Sequence, residues 1–203
     1  MFSFIFIQIN GMHVINLVLT VRIVTHAYKY VQTASQEGKQ ILFIGTKRQA
    51  ANTIEEEAKK CGASFIAHRW LGGTLTNWPT IRGRVKYLKE LSKKETSGEL
   101  ELLPKKEAAL LRKKREKLLQ NLGGLTEMVR IPDIAIVVDP RREETAIAEC
   151  RKLGIKIIAI VDTNCDPSLI NIPIPANNDG VRSIRLIISK LSEAIATGKY
   201  STL

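Results

Sequence analysis

Apolar positions recur at helical spacing over residues 17 to 37, at Leu17, Val21, Val24, Tyr28 and Val31, and Gly38 stands where such a helix would stop. The period then changes. Ile41-Leu42-Phe43-Ile44-Gly45 is a short unbroken apolar run, which reads as a strand buried on both faces. Thr46 is placed to cap a helix from Lys47 to Lys60 with Ala50, Ala51, Ile54 and Ala58 inward, ended by Cys61-Gly62. Ser64 to His68 is a second strand, Ile134 to Asp139 a third and Ile155 to Asp162 a fourth. Ile172-Pro173-Ile174-Pro175 is a fifth, and its prolines put it at a sheet edge. Glu143 to Leu153 reads as a helix closed by Gly154, and Asp179 to Ala196 as an amphipathic helix with Ile184, Ile187, Ile188, Leu191 and Ile195 inward. This alternation predicts an α/β fold, a doubly wound parallel sheet with helices on both faces.

The stretch between the second and third strands has a different period. Ile81, Val85, Leu88 and Leu91 form one apolar stripe, Ser97-Gly98 breaks the chain, and Pro104 opens a second helix striped by Ala108, Leu111, Leu118 and Leu122. Two stripes flanked by charge predict an antiparallel coiled-coil hairpin inserted at residues 78–124. The α/β domain is then built from residues 1–77 and 125–203.

Composition changes the picture in one respect, the charge. The 203 residues carry a formal charge of +11 and a pI near 9.7. From Trp78 to Leu122 thirteen Lys and Arg face six Glu, a surplus of seven, whereas residues 123 to 203 balance at ten of each sign. A folded core with its basic excess on one element suggests a polyanionic partner, and Arg112-Lys113-Lys114-Arg115 is the densest part of it. An ordinary solvated helix surface is the plainer reading of any single lysine there. Cys61, Cys150 and Cys165 are odd in number and lack any paired spacing, so neither a disulfide framework nor a zinc site is expected. Met1 to Ile7 is apolar but has no basic segment and no small-residue cleavage site. Gln8, Asn10, Gly11, His13, Asn16 and Arg22 interrupt the apolar run to Val24, which argues against a membrane span.

Candidate chemistry concentrates between Arg69 and Arg82, where both tryptophans, Trp70 and Trp78, flank a basic loop containing Gly72-Gly73. Glycines let a backbone approach a partner, indoles offer stacking faces, and the arginines suit phosphate. The competing reading is a pair of tryptophans that close a corner of the core. Enzyme motifs are lacking: Gly45-Thr46-Lys47-Arg48 does not have the spacing of a phosphate-binding P-loop, and no Gly-x-Gly-x-x-Gly follows a strand. Asp139 and Asp162 end strands and could hold Mg²⁺, but carboxylates there more often cap the next turn. Thr163 to Pro167 has the composition of a tight turn. No catalytic residue, metal or cofactor is expected.

Asn10-Gly11-Met12-His13-Val14-Ile15-Asn16-Leu17, Phe43-Ile44-Gly45-Thr46-Lys47, Arg69-Trp70-Leu71-Gly72-Gly73-Thr74-Leu75-Thr76-Asn77, Pro132-Asp133 and Asp162-Thr163-Asn164-Cys165-Asp166-Pro167, in this order, resemble the ribosomal small-subunit protein S-two family. Ile172 to Asn177 and Ser183 to Ile187 are similar to its cyanobacterial and plastid branch. The resemblance implies a flavodoxin-like three-layer domain with a protruding hairpin, seated on small-subunit ribosomal RNA, without catalysis. It further implies contact with neighbouring ribosomal proteins and a part in docking ribosomal protein S-one, in a chloroplast or, alternatively, a bacterial cytoplasm. By motif position Lys47, Arg48, Arg69, Trp70 and Asn77 are RNA-binding candidates, joined by Arg82 and Arg84 at the hairpin base and by the Arg112 to Arg115 cluster. One departure is that the family pattern opens with Gly-His-Phe-Gly-His and Trp-Asn-Pro-Lys-Met, whereas Met1 to Ile9 here is unlike it. The alternative class is a flavodoxin-like small-molecule or nucleotide-binding enzyme.

Overall fold

The computed structural model describes residues 4–9 and 11–200. Met1 to Ser3 and Asn10, the first residue of the Asn10 to Leu17 motif, lie outside the described residues. The chain opens with two antiparallel strands, β1 (Ile5–Ile9) and β2 (Met12–Ile15), which pair Ile7 with Val14 across the turn at Gly11. The helical and strand periods that begin at residue 17 do not extend to this hairpin. Its sequence-level signal was the Asn10-Gly11 dipeptide, the turn pair that antiparallel two-residue loops favour.

Then follow α1 (Leu17–Gln36), β3 (Ile41–Ile44), α2 (Arg48–Cys61) and β4 (Ser64–Ile66). The helices α3 (Trp78–Thr96) and α4 (Lys105–Leu122) come next, then β5 (Ile134–Val138), α5 (Glu144–Lys152), β6 (Lys156–Val161), β7 (Ile172–Pro175) and α6 (Val181–Tyr200). The strands from β3 on form one parallel sheet in the order β4-β3-β5-β6-β7. Counted along the chain this is the order 2-1-3-4-5 of flavodoxin-like folds, with its switch point between β3 and β5. The proline-bearing strand β7 is at an edge, as the sequence predicts.

Side chains alternate between two cores because successive strand residues point to opposite faces. Ile41, Phe43, Ile136, Ile158 and Ile160 pack under α1, α2 and α6, where the stripe Ile184, Ile187, Ile188, Leu191 and Ile195 is buried as expected. Leu42, Ile44, Ala135, Val137 and Ile157 face α5 and the root of α3. The inward face of α1 differs from its predicted stripe. Val31 is buried and Val24 and Tyr28 half-buried, but Leu17 and Val21 are 71% and 64% exposed. Thr20, Ala27, Val31 and Ala34 point inward instead, because the position of α1 is fixed against α6 and β7, where the Thr20 hydroxyl donates to the Pro175 carbonyl at 2.6 Å. Helix α2 also starts one residue later than expected. Lys47 occupies the cap position, and the Thr46 hydroxyl donates to Glu143 rather than capping α2.

On α3, Ile81, Val85, Leu88 and Leu91 are all buried, while on α4 Ala108 and Leu122 are buried and Leu111 and Leu118 half-buried. Trp78, Ile81, Val85, Leu88 and Leu122 belong to the sheet core, so the hairpin's root is one of the covers of that face. At its end the chain comes down on β4: a Cβ at Gly124 would stand 2.2 Å from the Phe65 carbonyl oxygen, a space only glycine fits.

Candidate nucleic-acid interface

The loop from His68 to Asn77 leaves the carboxyl end of β4 and is held by one carboxylate of α5. Glu149 Oε1 accepts from Trp70 Nε1 at 2.9 Å and from the Gly73 amide at 2.8 Å. Its Oε2 accepts from the Leu75 amide at 2.9 Å, the Thr76 amide at 3.0 Å and the Thr76 hydroxyl at 3.1 Å. Burial alone would push the Glu149 carboxyl up, but the bonds from Thr76, Trp70, Leu75 and Gly73 outweigh it and hold the group below its ordinary value. Gly73 sits at φ +84°, which lets its amide turn toward Glu149.

This clamp changes the reading of the loop. Three backbone N–H groups converge as they do in an anion-binding nest, but the chain's own carboxylate fills it. The loop therefore offers phosphate no free backbone cradle. Neither tryptophan is a free stacking platform: Trp78 is 7% exposed within the sheet core, and Trp70 packs against that core with its indole N–H committed to Glu149. What the loop presents outward is Arg69, Gly72 and Asn77, followed on the first turns of α3 by Arg82 and Arg84, all exposed. Among the described residues Arg48, Arg69, Arg82 and Arg84 have no ion-pair partner, and a Cβ at Gly72 would meet nothing within 4 Å.

At the switch point, where open α/β sheets bind ligands, the chain closes the crevice with its own groups. The Thr46 amide and hydroxyl both donate to Glu143 Oε1, at 2.8 and 2.6 Å. Lys47 Nζ reaches Asp139 Oδ2 at 3.0 Å, Asp179 Oδ1 at 2.7 Å and Asn178 Oδ1 at 2.9 Å. Burial would lower the Lys47 pKa, but its bonds to Asp179 and Asp139 raise it, and the side chain is 12% exposed. Asp139 takes a left-handed backbone, φ +63°, so that the chain can turn beneath this ion pair. Lys47, a candidate phosphate ligand by sequence, is thus engaged internally, whereas Arg48 beside it is exposed. Asp162 and Asp166 accept from the Thr163 and Ser168 amides, which makes them turn residues. Among the described residues no group of three or more His, Cys, Asp or Glu is placed to hold a metal ion.

The basic cluster on α4 divides in the same way. Arg115 is half-buried in ion-pair contact with Glu95 of α3, and Arg112 lies 3.7 Å from the same carboxylate. Lys114 stands over the Tyr87 ring at 4.8 Å. Lys113 and Lys117 line a groove of about 890 Å³ between α4, α2 and the edge strand β4. All three cysteines are buried and free, and the Cys150 thiol is pushed up to about 12 by burial and the adjacent Glu149 charge. No helix among the described residues is long and apolar enough to cross a membrane.

Sequence reasoning missed Glu149 and Glu143, the two carboxylates that shape these loops. A signal existed for the first. Glu149 falls on the inward stripe of α5 with Ala146, Ile147 and Cys150, and a carboxylate on an apolar stripe must be paired inside the fold.

The family model described as Ribosomal protein S2 matches residues 1–198. The small ribosomal subunit protein uS2c of Emiliania huxleyi is 62% identical over 99% of this chain and 88% of its own length. That of Cyanophora paradoxa is 56% identical over 99% and 86%, and uS2 of the cyanobacterium Picosynechococcus sp. 54% over 98% and 78%.

Proposed function

The chain belongs to the ribosomal protein S2 family, and from that membership we propose that its exposed arginines seat it on the RNA of a small ribosomal subunit. It is a structural ribosomal component and not an enzyme, in keeping with relatives named as small-subunit proteins and with a switch-point crevice closed by its own ion pairs. The observation that carries the RNA reading is the line of unpaired cations Arg69, Arg82 and Arg84 on a rigidly held loop and the helix it leads into. Arg48, Asn77, Arg112, Lys113 and Lys114 are further exposed candidates for RNA contact. Lys47, Trp70 and Arg115 support it from within by holding the loops and the hairpin in place.

The hairpin of residues 78–124 acts in this reading as an insertion in a sheet domain made by the flanking segments, and it carries the positive surplus outward. Neighbouring ribosomal proteins are partners of a small-subunit component. The finer assignments, a plastid ribosome and a contact with ribosomal protein S-one, are proposed on the uS2c names of the algal relatives and on the family resemblance respectively. Sedimentation tests the whole reading: the tagged protein should co-migrate with small subunits in low salt. A profile confined to the free-protein fractions would overturn it.

A further inference from the structure

We infer that Glu149 is a positioning residue for RNA binding, an anion that strengthens the hold on a polyanion by fixing the loop that presents Arg69, Gly72 and Asn77; this rests on the RNA reading above. Simple electrostatics disfavours a carboxylate in this position. The chain carries a formal charge of +11, and a carboxylate behind a phosphate-facing loop opposes the attraction that the rest of the charge supplies. Its exposure is only 7%, so it does not serve solubility, and its attachments are confined to one loop.

Those attachments lie between the outward groups. Trp70 is the neighbour of Arg69, Gly73 of Gly72, and Thr76 of Asn77, and each is bonded to Glu149. The loop's own internal bonds are few and local. The Thr74 amide and hydroxyl donate to the Leu71 carbonyl, and the Asn77 amide donates to that of Gly73. Without Glu149 the amides of Gly73, Leu75 and Thr76 lose their partner, and the buried amide of Leu75 would be left unsatisfied. The loop would then relax toward solvent, and Arg69 would be presented as an ensemble. Ordering it on RNA would cost conformational entropy that the clamp has already removed.

Charge and shape therefore predict opposite signs for one substitution. Glu149→Gln removes a negative charge, which on electrostatics alone should strengthen RNA binding. It also replaces one acceptor oxygen by an NH₂ that, whichever way the amide turns, faces donors, those of Trp70 and Gly73 or those of Leu75 and Thr76, which should open half the clamp. Filter binding of the full chain to a small-subunit ribosomal RNA transcript, over a salt series, decides. The expected result is a cooperatively melting variant that binds roughly tenfold more weakly, with a salt slope shallower by about one phosphate contact. Arg69→Ala should weaken the parent but change almost nothing in the Glu149→Gln background, a coupling that a generally loosened fold would not give. Binding by Glu149→Gln equal to or tighter than the parent's, or additive effects of the two substitutions, would overturn the inference. If Glu149→Gln does not fold, Trp70→Phe removes a single donor while keeping an aromatic ring against the core. It should give a smaller loss of affinity and of slope, and parental binding by it counts against the clamp. A parent chain that does not bind the transcript fails the RNA reading itself, which separates the two failures.

Discussion

Lys47, after β3, and Arg69, after β4, are cations on loops at the carboxyl ends of neighbouring strands, and each loop is pinned by a glutamate from the segment around α5. Glu143 holds the first loop through Thr46, and Glu149 holds the second through Trp70, Gly73, Leu75 and Thr76. The difference lies in what surrounds the cation. Lys47 meets Asp139, Asp179 and Asn178, and its charge is spent inside the fold, whereas among the described residues no carboxylate reaches Arg69. Whether a basic residue faces a partner thus depends less on its loop than on whether the chain supplies the counter-charge. The lysine is suited to the internal role as a compact point charge with three donors, and the exposed guanidinium to bidentate phosphate contact.

The largest effect that could break this comparison is on stability. Lys47→Met should cost about 3 kcal/mol, because it leaves Asp139 as a nearly buried carboxylate without its cation. Arg69→Ala should change stability by no more than about 0.5 kcal/mol, as an exposed substitution away from any bond. Denaturant midpoints at constant m would show both. RNA affinity should divide the other way, with Arg69→Ala the weaker binder and Lys47→Met close to the parent under conditions where it is folded. Equal stability costs would mean that the two cations do not differ in the way described.

Which parts of this were legible in the sequence follows from the range of the interactions involved. The sheet and its covering helices were readable because period and glycine stops are local signals, and β3, β5, β6, β7 and α6 lie within a few residues of their expected bounds. The inward face of α1 was misread at Leu17 and Val21 because a helix of alternating Val and Leu offers two nearly equal stripes. The choice between them is made by α6 and β7, 140 residues or more away in the chain. The site was readable as residue types in a loop but not as contacts. Glu149 lies 73 to 79 residues from the groups it binds, and Asp139 lies 92 from Lys47, so no spacing rule could join them. In sequence the two tryptophans suit a stacking surface as well as a core corner, and it is burial, a tertiary property, that places Trp78 in the core and Trp70 against it.

A second pair of regions sharpens the comparison, the root and the tip of the hairpin. Val85, Leu88 and Leu122 at the root pack into the sheet core, while Leu91, Leu100 and Ala108 further out are buried apart from either sheet core. Replacing residues 90 to 115 by a short Gly-Ser turn should therefore leave a domain that melts cooperatively, since the root keeps the sheet face covered. Extending the replacement to residues 84 to 119 removes Val85 and Leu88, and should lower the melting temperature further. Both shortened chains lose Arg112, Lys113 and Lys114, and the longer replacement also removes Arg84, so its salt slope for RNA should fall further. Loss of cooperative melting in the shorter replacement would show that the tip is part of the core.

The smallest effect expected is on pH dependence. Against burial, which raises it, the bonds from Thr76, Trp70, Leu75 and Gly73 hold the Glu149 carboxyl below its ordinary value in the folded protein, so the unfolded chain takes up a proton there first as the pH falls. Its stabilising contribution is therefore fully present above the unfolded value and is lost as the pH drops through the folded one. From neutrality down to pH 5 the clamp should stay ionised, and loop-dependent RNA binding should not change. Below the usual carboxylate range, the melting temperatures of the parent and of Glu149→Gln should converge, because protonation takes from the parent what the substitution has already removed. The effect is small because only the window between the two values contributes. Lys47 sets the contrast at the other end: its raised pKa gives stability that is present below 10.5 and lost only as the pH rises through the folded value. Parallel melting curves for the parent and Glu149→Gln across the acid range would mean that the carboxylate's charge does not hold the loop, whatever its geometry.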